Sequence, residues 1–104
     1  MEIQTQLSED KKLLTLVLQG KFDYTCQQEF QNAYQNLSEV PEQFILDVLG
    51  LRSLDSSALG MLLLLRTYAG DDDADIKIVN AKADIYKLMC SCKFDDLFVI
   101  EPYA

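Results

Sequence analysis

The sequence contains no histidine among its 104 residues. Histidine is the most common general base and metal ligand in proteins, so its absence argues against a hydrolase triad or a zinc site. Cysteine is scarce, with only Cys26, Cys90 and Cys92 in the chain. The number is odd, and the cysteines lack the paired spacing of a disulfide framework. We therefore expect reduced thiols in the core, and we predict a protein that is not an enzyme and holds no metal or cofactor.

Basic residues are also few, with 9 Lys and Arg against 17 Asp and Glu and a net charge of -8. Nucleic acid and anionic membranes would repel such a chain, so we expect neither as a partner. The longest apolar stretch, residues 58–65, is far shorter than the ~20 residues of a membrane-spanning helix. The start "MEIQTQL" lacks the basic and apolar regions of a signal peptide. These features predict a cytoplasmic location without membrane insertion.

Strand and helix patterns alternate along the chain. Alternation in "EIQTQL" and the apolar run "LLTLVL" predict two strands joined by a hairpin at "SEDKK". The later patterns predict a helix over 25–37, a strand over 44–48 and a helix closed by Gly70. A strand over 75–79 follows, and a last strand is predicted over 97–100. Between these two strands we predict a helix whose apolar face consists of Ile85, Leu88, Met89 and Cys92. We predict one α/β domain over residues 1–104, with a mixed, mostly parallel sheet and the order β-β-α-β-α-β-α-β.

Three loops follow strands at the predicted carboxyl edge of the sheet, where such folds place their working surface: "GKFDYT", "LGLRSLDSS" and "NAKAD". The second loop puts Asp55, Ser56 and Ser57 at the start of a helix. Asp55 or Ser56 could cap the free N–H groups there. A serine hydroxyl could instead accept a phosphate, whose charge of about -1.5 to -2 is tolerated at a helix N-terminus.

Other chemistry for these loops lacks the required residues. A nucleophile elbow needs G-x-S-x-G and a histidine, and a phosphate-binding loop needs a glycine-rich run ending in Gly-Lys. Asp47 with Asp23 offers too few carboxylates for a metal-dependent aspartyl phosphate, and the run "DDDAD" lacks the spacing of a calcium loop.

The stretch "FILDVLGLRSLDSSALGMLLLL", residues 44–65, resembles the signature of STAS domains, specifically those of bacterial anti-sigma-factor antagonists. The positions that match the signature without a gap are Asp47, Gly50, Asp55, Ser56, Ser57, Leu59 and Gly60. "LQGKFDYTC" is similar to the Gly-x-apolar-Asp loop of the family, through Gly20 and Asp23. The likeness continues through "DIKIVNAKADIYKLM" and "CKFDDLFVI" and so spans nearly the whole chain.

The resemblance implies a phosphorylation switch. Position by position, the phosphorylated serine of the family is Ser56, and Ser57 is its neighbour. It implies a partner that is both an anti-sigma factor and a serine kinase, a PP2C-type phosphatase, and binding only by the unphosphorylated form. One departure is Ala58, which stands where the family usually has glycine and where a partner backbone could approach closely.

We predict that the partner-binding residues are Asp23, Tyr24, Arg52, Asp55, Ser56, Ser57, Ala58 and Met61. Arg52 could pair with a phosphate or could be a solvated side chain. A second hypothesis is a STAS subunit that is docked to an ABC-type transporter ATPase without phosphate, using "LGMLLLL" partly as interface. The alternative for that run is core packing against the sheet.

Overall fold

Five strands and three α-helices alternate along the chain in the computed structural model, which describes all residues from Met1 to Ala104. The elements are β1 (Glu2–Leu7), β2 (Leu13–Phe22), α1 (Gln27–Gln35), β3 (Gln43–Leu54), α2 (Ser56–Ala69), β4 (Ile76–Ala81), α3 (Ala83–Ser91) and β5 (Val99–Pro102). Short 3-10 turns cover residues 24–26, 71–73 and 94–96. The predicted order of strands and helices is confirmed.

The strands lie in the sheet in the same order as in the sequence, from β1 to β5. β1 pairs antiparallel with β2, and all later neighbours are parallel. Each crossover therefore moves one strand further in the same direction. Since such connections are right-handed, they place all three helices on one face of the sheet.

The core lies between that face and the helices. Its strand side chains alternate with half-exposed ones, as a sheet covered on one face requires. The buried residues of the central strands are Leu14, Leu16, Leu18, Phe44, Leu46, Val48, Ile76 and Ile78. The helices cover them with Phe30, Tyr34, Ala58, Met61, Leu62, Leu65, Ile85 and Met89.

α2 ends where the sequence predicts. Gly70 has a φ of 117°, a left-handed conformation that favours glycine. Its N–H donates to the carbonyls of Arg66 and Thr67 and so satisfies the last turn of the helix. None of the helices combines the length and the apolar character that a crossing of the membrane requires.

β2 and β3 both run further than predicted, to Phe22 and Leu54. Polar residues interrupt the apolar pattern there, but the two backbones stay paired, with Gly20 opposite Leu51 and Phe22 opposite Leu54. Two extra residues in β3, one near Val48 and one near Arg52, shift the register of this pairing. Much of the predicted loop "LGLRSLDSS" is therefore strand.

Two further predictions need correction. Cys26 is buried, but Cys90 is half-exposed and Cys92 is exposed, so the expected core position holds for only one thiol. α3 stops at Ser91, which leaves Cys92 outside the helix, and Leu88 is also exposed. The inner face of α3 consists of Ile85 and Met89.

Candidate functional site

The carboxyl ends of β2 and β3 lie side by side and carry most of the predicted site residues. The backbone N–H of Asp55 donates to the carbonyl of Phe22 at 3.3 Å, which ties the segment after β3 to the end of β2. We call the resulting group of exposed and half-buried residues the strand-end surface: Asp23, Tyr24, Arg52, Asp55, Ser56 and Ser57.

Asp55 is the N-cap of α2. Its Oδ1 accepts hydrogen bonds from the backbone N–H of Ala58 at 3.0 Å and from the hydroxyl of Ser57 at 2.6 Å. The bond from Ser57, supported by the bond from Ala58, lowers the pKa of the Asp55 carboxyl. The choice between Asp55 and Ser56 as the cap is thereby decided for Asp55.

The two serines of the motif have different environments. The Ser57 hydroxyl is half-buried and engaged with Asp55. Ser56 is exposed, and its hydroxyl makes no hydrogen bond within the chain. A modifying enzyme could therefore reach Ser56 without breaking the cap, whereas attack on Ser57 would remove one of the bonds that Asp55 accepts.

Asp23 organises the neighbouring turn in a similar way. It accepts a bond from the backbone N–H of Thr25 at 3.0 Å and further bonds from the Thr25 hydroxyl and the Cys26 thiol. The hydroxyl of Thr25 contributes most to a lowered pKa of Asp23. The negative charge of Asp23 acts on Asp55 in the opposite sense, raising its pKa, so the two carboxylates are close enough to repel each other.

Tyr24 and Arg52 are free to contact another molecule. Tyr24 is 72% exposed, and Arg52 is exposed without an ion-pair partner. A polar cleft of about 460 Å³ lies beside them, lined partly by Lys21, Asp23 and Arg52. The strand-end surface thus presents one aromatic ring and charges of both signs.

Ala58 and Met61, which the sequence predicts as partner-binding residues, are buried instead. They are 0% and 4% exposed, and they belong to the core. The reason is helical phase: both lie on the side of α2 that faces the sheet, with Leu62 and Leu65. Their side chains are therefore not available to a partner, and the methyl group of Ala58 fills core volume.

The opposite side of α2 is the exposed helix face that the sequence predicts as part of a partner interface. Ser56, Gly60, Leu63 and Thr67 follow one another at helical spacing on this side, with Leu64 beside them. Leu63 is 40% exposed and Leu64 is 48% exposed. We call this stripe the α2 outer face. The uniformly apolar "MLLLL" hides the helical phase, so the sequence alone does not indicate which of these leucines are exposed.

Asp47 has a structural role. Its Oδ1 accepts bonds from the Asn80 side-chain amide at 3.2 Å and from the Leu49 backbone N–H at 3.1 Å, and the bond from Asn80 links the middle of β3 to the end of β4. No three Asp, Glu or Cys side chains converge in a way that could hold a metal ion.

A second, more apolar groove of about 680 Å³ lies on the β5 side, beside Tyr86 and Cys90.

Comparison with known proteins identifies relatives of the whole chain. Residues 5–101 match a family model described as "Mlab, STAS domain". A STAS-domain containing protein of Pseudomonas aeruginosa is 39% identical over 100 residues, which cover 96% of this chain and 99% of the relative.

Solved structures of other proteins share the fold at low sequence identity. An anti-sigma factor antagonist from Mycobacterium paratuberculosis has a TM-score of 0.74 at 15% identity, covering 97% of this chain and 86% of that one. The STAS domain of a SulP transporter from Vibrio cholerae has a TM-score of 0.70 at 17% identity, covering 93% and 77%. One fold is thus common to signalling proteins and to a domain of a transporter.

Proposed function

The chain belongs to the STAS domain family, and from this premise we propose that it is a protein-binding switch of the anti-sigma-factor antagonist type, controlled by phosphate on Ser56. The family is one of binding and regulatory domains and not a known class of enzymes. The proposed partner is an anti-sigma-type serine kinase, and a PP2C-type phosphatase resets the switch.

The observation that carries the proposal is the contrast between the two serines. Ser56 is exposed and unbonded at the first position of α2, while Ser57 is held by the cap. A kinase can transfer a phosphoryl group to the Ser56 oxygen, and a phosphatase can hydrolyse the ester, while Asp55 keeps capping the helix.

Phosphate at Ser56 would change the surface strongly and the fold little. The positive end of the α2 dipole and the free N–H groups of its first turn favour an anion there. The added charge of about -1.5 to -2 would lie beside Asp55 and close to Asp23. A partner that accommodates these carboxylates in the unphosphorylated form would then meet like-charge repulsion and an added bulky group.

We propose that the partner contacts the strand-end surface and the α2 outer face together. Ser56 belongs to both, so a single modification lies at the junction of polar and apolar contacts. Leu63 and Leu64 would supply apolar area, and Tyr24 and Arg52 would supply the residue types that are enriched in interfaces.

The test starts in the cells that make the protein. Trypsin cleavage after Arg52 and Arg66 releases residues 53–66, which contain all three serines of this segment. Fragmentation mass spectrometry on this peptide, under several growth conditions, should find phosphate on Ser56 that varies with condition. Proteins that copurify with tagged Ser56→Ala but not with Ser56→Asp are the candidate partners.

Affinity measurements with the purified partner then decide the proposal. Ser56→Asp should bind at least about tenfold more weakly than the unmodified protein, a difference of about 1.4 kcal/mol. Ser38→Asp is the matched control, because it adds the same charge at an exposed position between α1 and β3. Equal affinities of these two variants would refute the switch.

The exposed leucines of α2 favour a second candidate, a STAS subunit that is docked permanently to an ABC-type transporter ATPase. An apolar helix face suits a constant partner, and it needs no phosphate. This alternative predicts an ATPase at fixed stoichiometry in every preparation, no phosphate on residues 53–66, and loss of the complex in Leu63→Asp.

A further inference from the structure

The sheet has two edges, and only one of them is protected against further pairing. β5 is four residues long and ends in Pro102, which has no N–H to donate. Glu101 in this strand also pairs with Lys77 at 3.8 Å. Short length, proline and charge are the usual means by which a sheet edge avoids another strand.

β1 has none of these protections along most of its length. It spans six residues, and residues 3–7, "IQTQL", contain no charge, no proline and no glycine. Five of its six residues are exposed, and Leu7 is 36% exposed. Since β1 pairs on one side only, with β2, the backbone groups that point away from β2 have no strand partner.

We propose that β1 pairs antiparallel with β1 of a second copy of this chain, which joins the two sheets into one. This inference concerns a different surface from the proposed phosphorylation switch and does not depend on it.

The sequence of β1 fits pairing with itself. In an antiparallel pair, the backbone N–H and C=O groups of two facing residues either both point toward the other strand or both point away from it. A two-fold pair of β1 strands meets this condition when its register centres on Thr5. Thr5 then lies opposite Thr5 of the second copy, Ile3 opposite Leu7, and Gln4 opposite Gln6. Each is a favourable cross-strand pair, and the register allows about four to six hydrogen bonds between the strands.

Charge also favours β1 over other surfaces of the molecule for this contact. Each copy carries a net charge of -8, so most approaches of two copies are repulsive. Residues 3–7 form an uncharged strip along which the copies can meet. Salt would screen the remaining repulsion, and the dimer should become more populated as the ionic strength rises.

The proposed dimer leaves the strand-end surface of each copy accessible. The start of β1 lies beside the end of β2, at the strand-end surface. Antiparallel pairing of two β1 strands turns one protomer end to end relative to the other. The two strand-end surfaces would therefore lie at opposite ends of the joined sheet.

Sedimentation equilibrium tests the proposal on the full chain, from micromolar to millimolar concentration and at low and high salt. The unmodified protein should form a dimer whose population rises with salt. Thr5→Lys should weaken the dimer at least about tenfold, because it places two lysines opposite each other at the two-fold axis. Asn36→Lys, exposed at the end of α1, adds the same charge and should still dimerise.

A rescue experiment makes the test specific to this register. Thr5→Glu should also fail to pair with itself, but an equimolar mixture with Thr5→Lys should form a heterodimer, since the axis then joins opposite charges. Circular dichroism verifies that each variant is folded, and Thr5→Glu alone carries the homodimer prediction if Thr5→Lys does not fold. A protein that is monomeric at millimolar concentration in high salt, or a Thr5→Lys dimer as stable as that of Asn36→Lys, overturns the proposal.

Discussion

Asp55 links stability and the proposed switch at a single position. It closes the first turn of α2 and holds Ser57, while the neighbouring Ser56 stays free. The carboxylate is the form that accepts these bonds, which is why its pKa lies below the ordinary value. Removing the side chain should therefore affect the helix, and protonating it should act in the same direction.

We expect Asp55→Ala to lower the Tm by roughly 5 °C, because a helix N-cap is lost.

Asp55→Asn keeps an acceptor oxygen but cannot ionise. The Asp55 carboxyl has a lower pKa in the folded than in the unfolded chain. Its contribution to stability is therefore full above the unfolded pKa, near 3.9, and is lost as the pH falls through the folded pKa. In thermal melts from pH 7 to pH 2, the Tm of the unmodified protein should exceed that of Asp55→Asn at neutral pH, and this difference should disappear below about pH 4. Parallel pH profiles would contradict this.

At this scale, the sequence predicted the kinds of residue in the site better than their exposure. The Asp-Ser-Ser motif predicted both a helix cap and an accessible hydroxyl. Which residue does each depends on where the helix begins. A start one position later would make Ser56 the cap and would place Ser57 at the first helical position. The same phase decides that Ala58 is buried and Leu63 exposed, and a uniformly apolar run cannot reveal it.

Among the elements, β3 differs most from its prediction. Gly50, Arg52 and Ser53 have the composition of a loop, yet they continue a strand that β2 accompanies on one side. Backbone pairing with a neighbouring strand is a long-range effect that local composition does not contain. The helices, whose apolar spacing is local, were predicted within a few residues of their bounds.

Gly50 lies in this extension, between the two shifts in register. A Cβ at this position would lie 2.7 Å from Cγ of Gln19 and 3.2 Å from the carbonyl oxygen of Leu18. We expect Gly50→Ala to destabilise the protein by about 1–3 kcal/mol, because β2 and β3 must move apart locally.

Gly60 provides the matched control, since a Cβ there would meet no atom within 4 Å. Gly60→Ala should stabilise α2 by up to about 1 kcal/mol, as expected for a helix interior. Urea unfolding of both variants at pH 7 measures the two effects. A Gly50→Ala protein as stable as Gly60→Ala would show that the extended pairing tolerates a side chain.

On the scale of the whole molecule, charge is poorly balanced. Of 17 acidic side chains, Asp72 pairs with Arg66 at 3.0 Å and Glu101 with Lys77 at 3.8 Å, and no other ion pair forms. Both pairs involve an exposed carboxylate and contribute little to stability. The folded chain therefore retains most of its self-repulsion at neutral pH.

We expect the Tm at pH 7 to rise by a few degrees when sodium chloride is increased from low to high concentration, because salt screens this repulsion. Near the isoelectric point, about 4.3, the same addition should have little effect. Differential scanning calorimetry at both pH values makes the comparison. A Tm that falls with salt at pH 7 would mean that attractive pairs outweigh the repulsion.

The strand order also has a consequence for the synthesis of the chain on the ribosome. Because strands β1 to β5 are adjacent in the order in which they are made, each new strand adds to the outer side of the one before it. No strand has to insert between two that are already paired, so no finished ladder must reopen. All residues of the strand-end surface precede β4 in the sequence. The segments that build the proposed switch therefore emerge before the last two strands of the sheet have been translated.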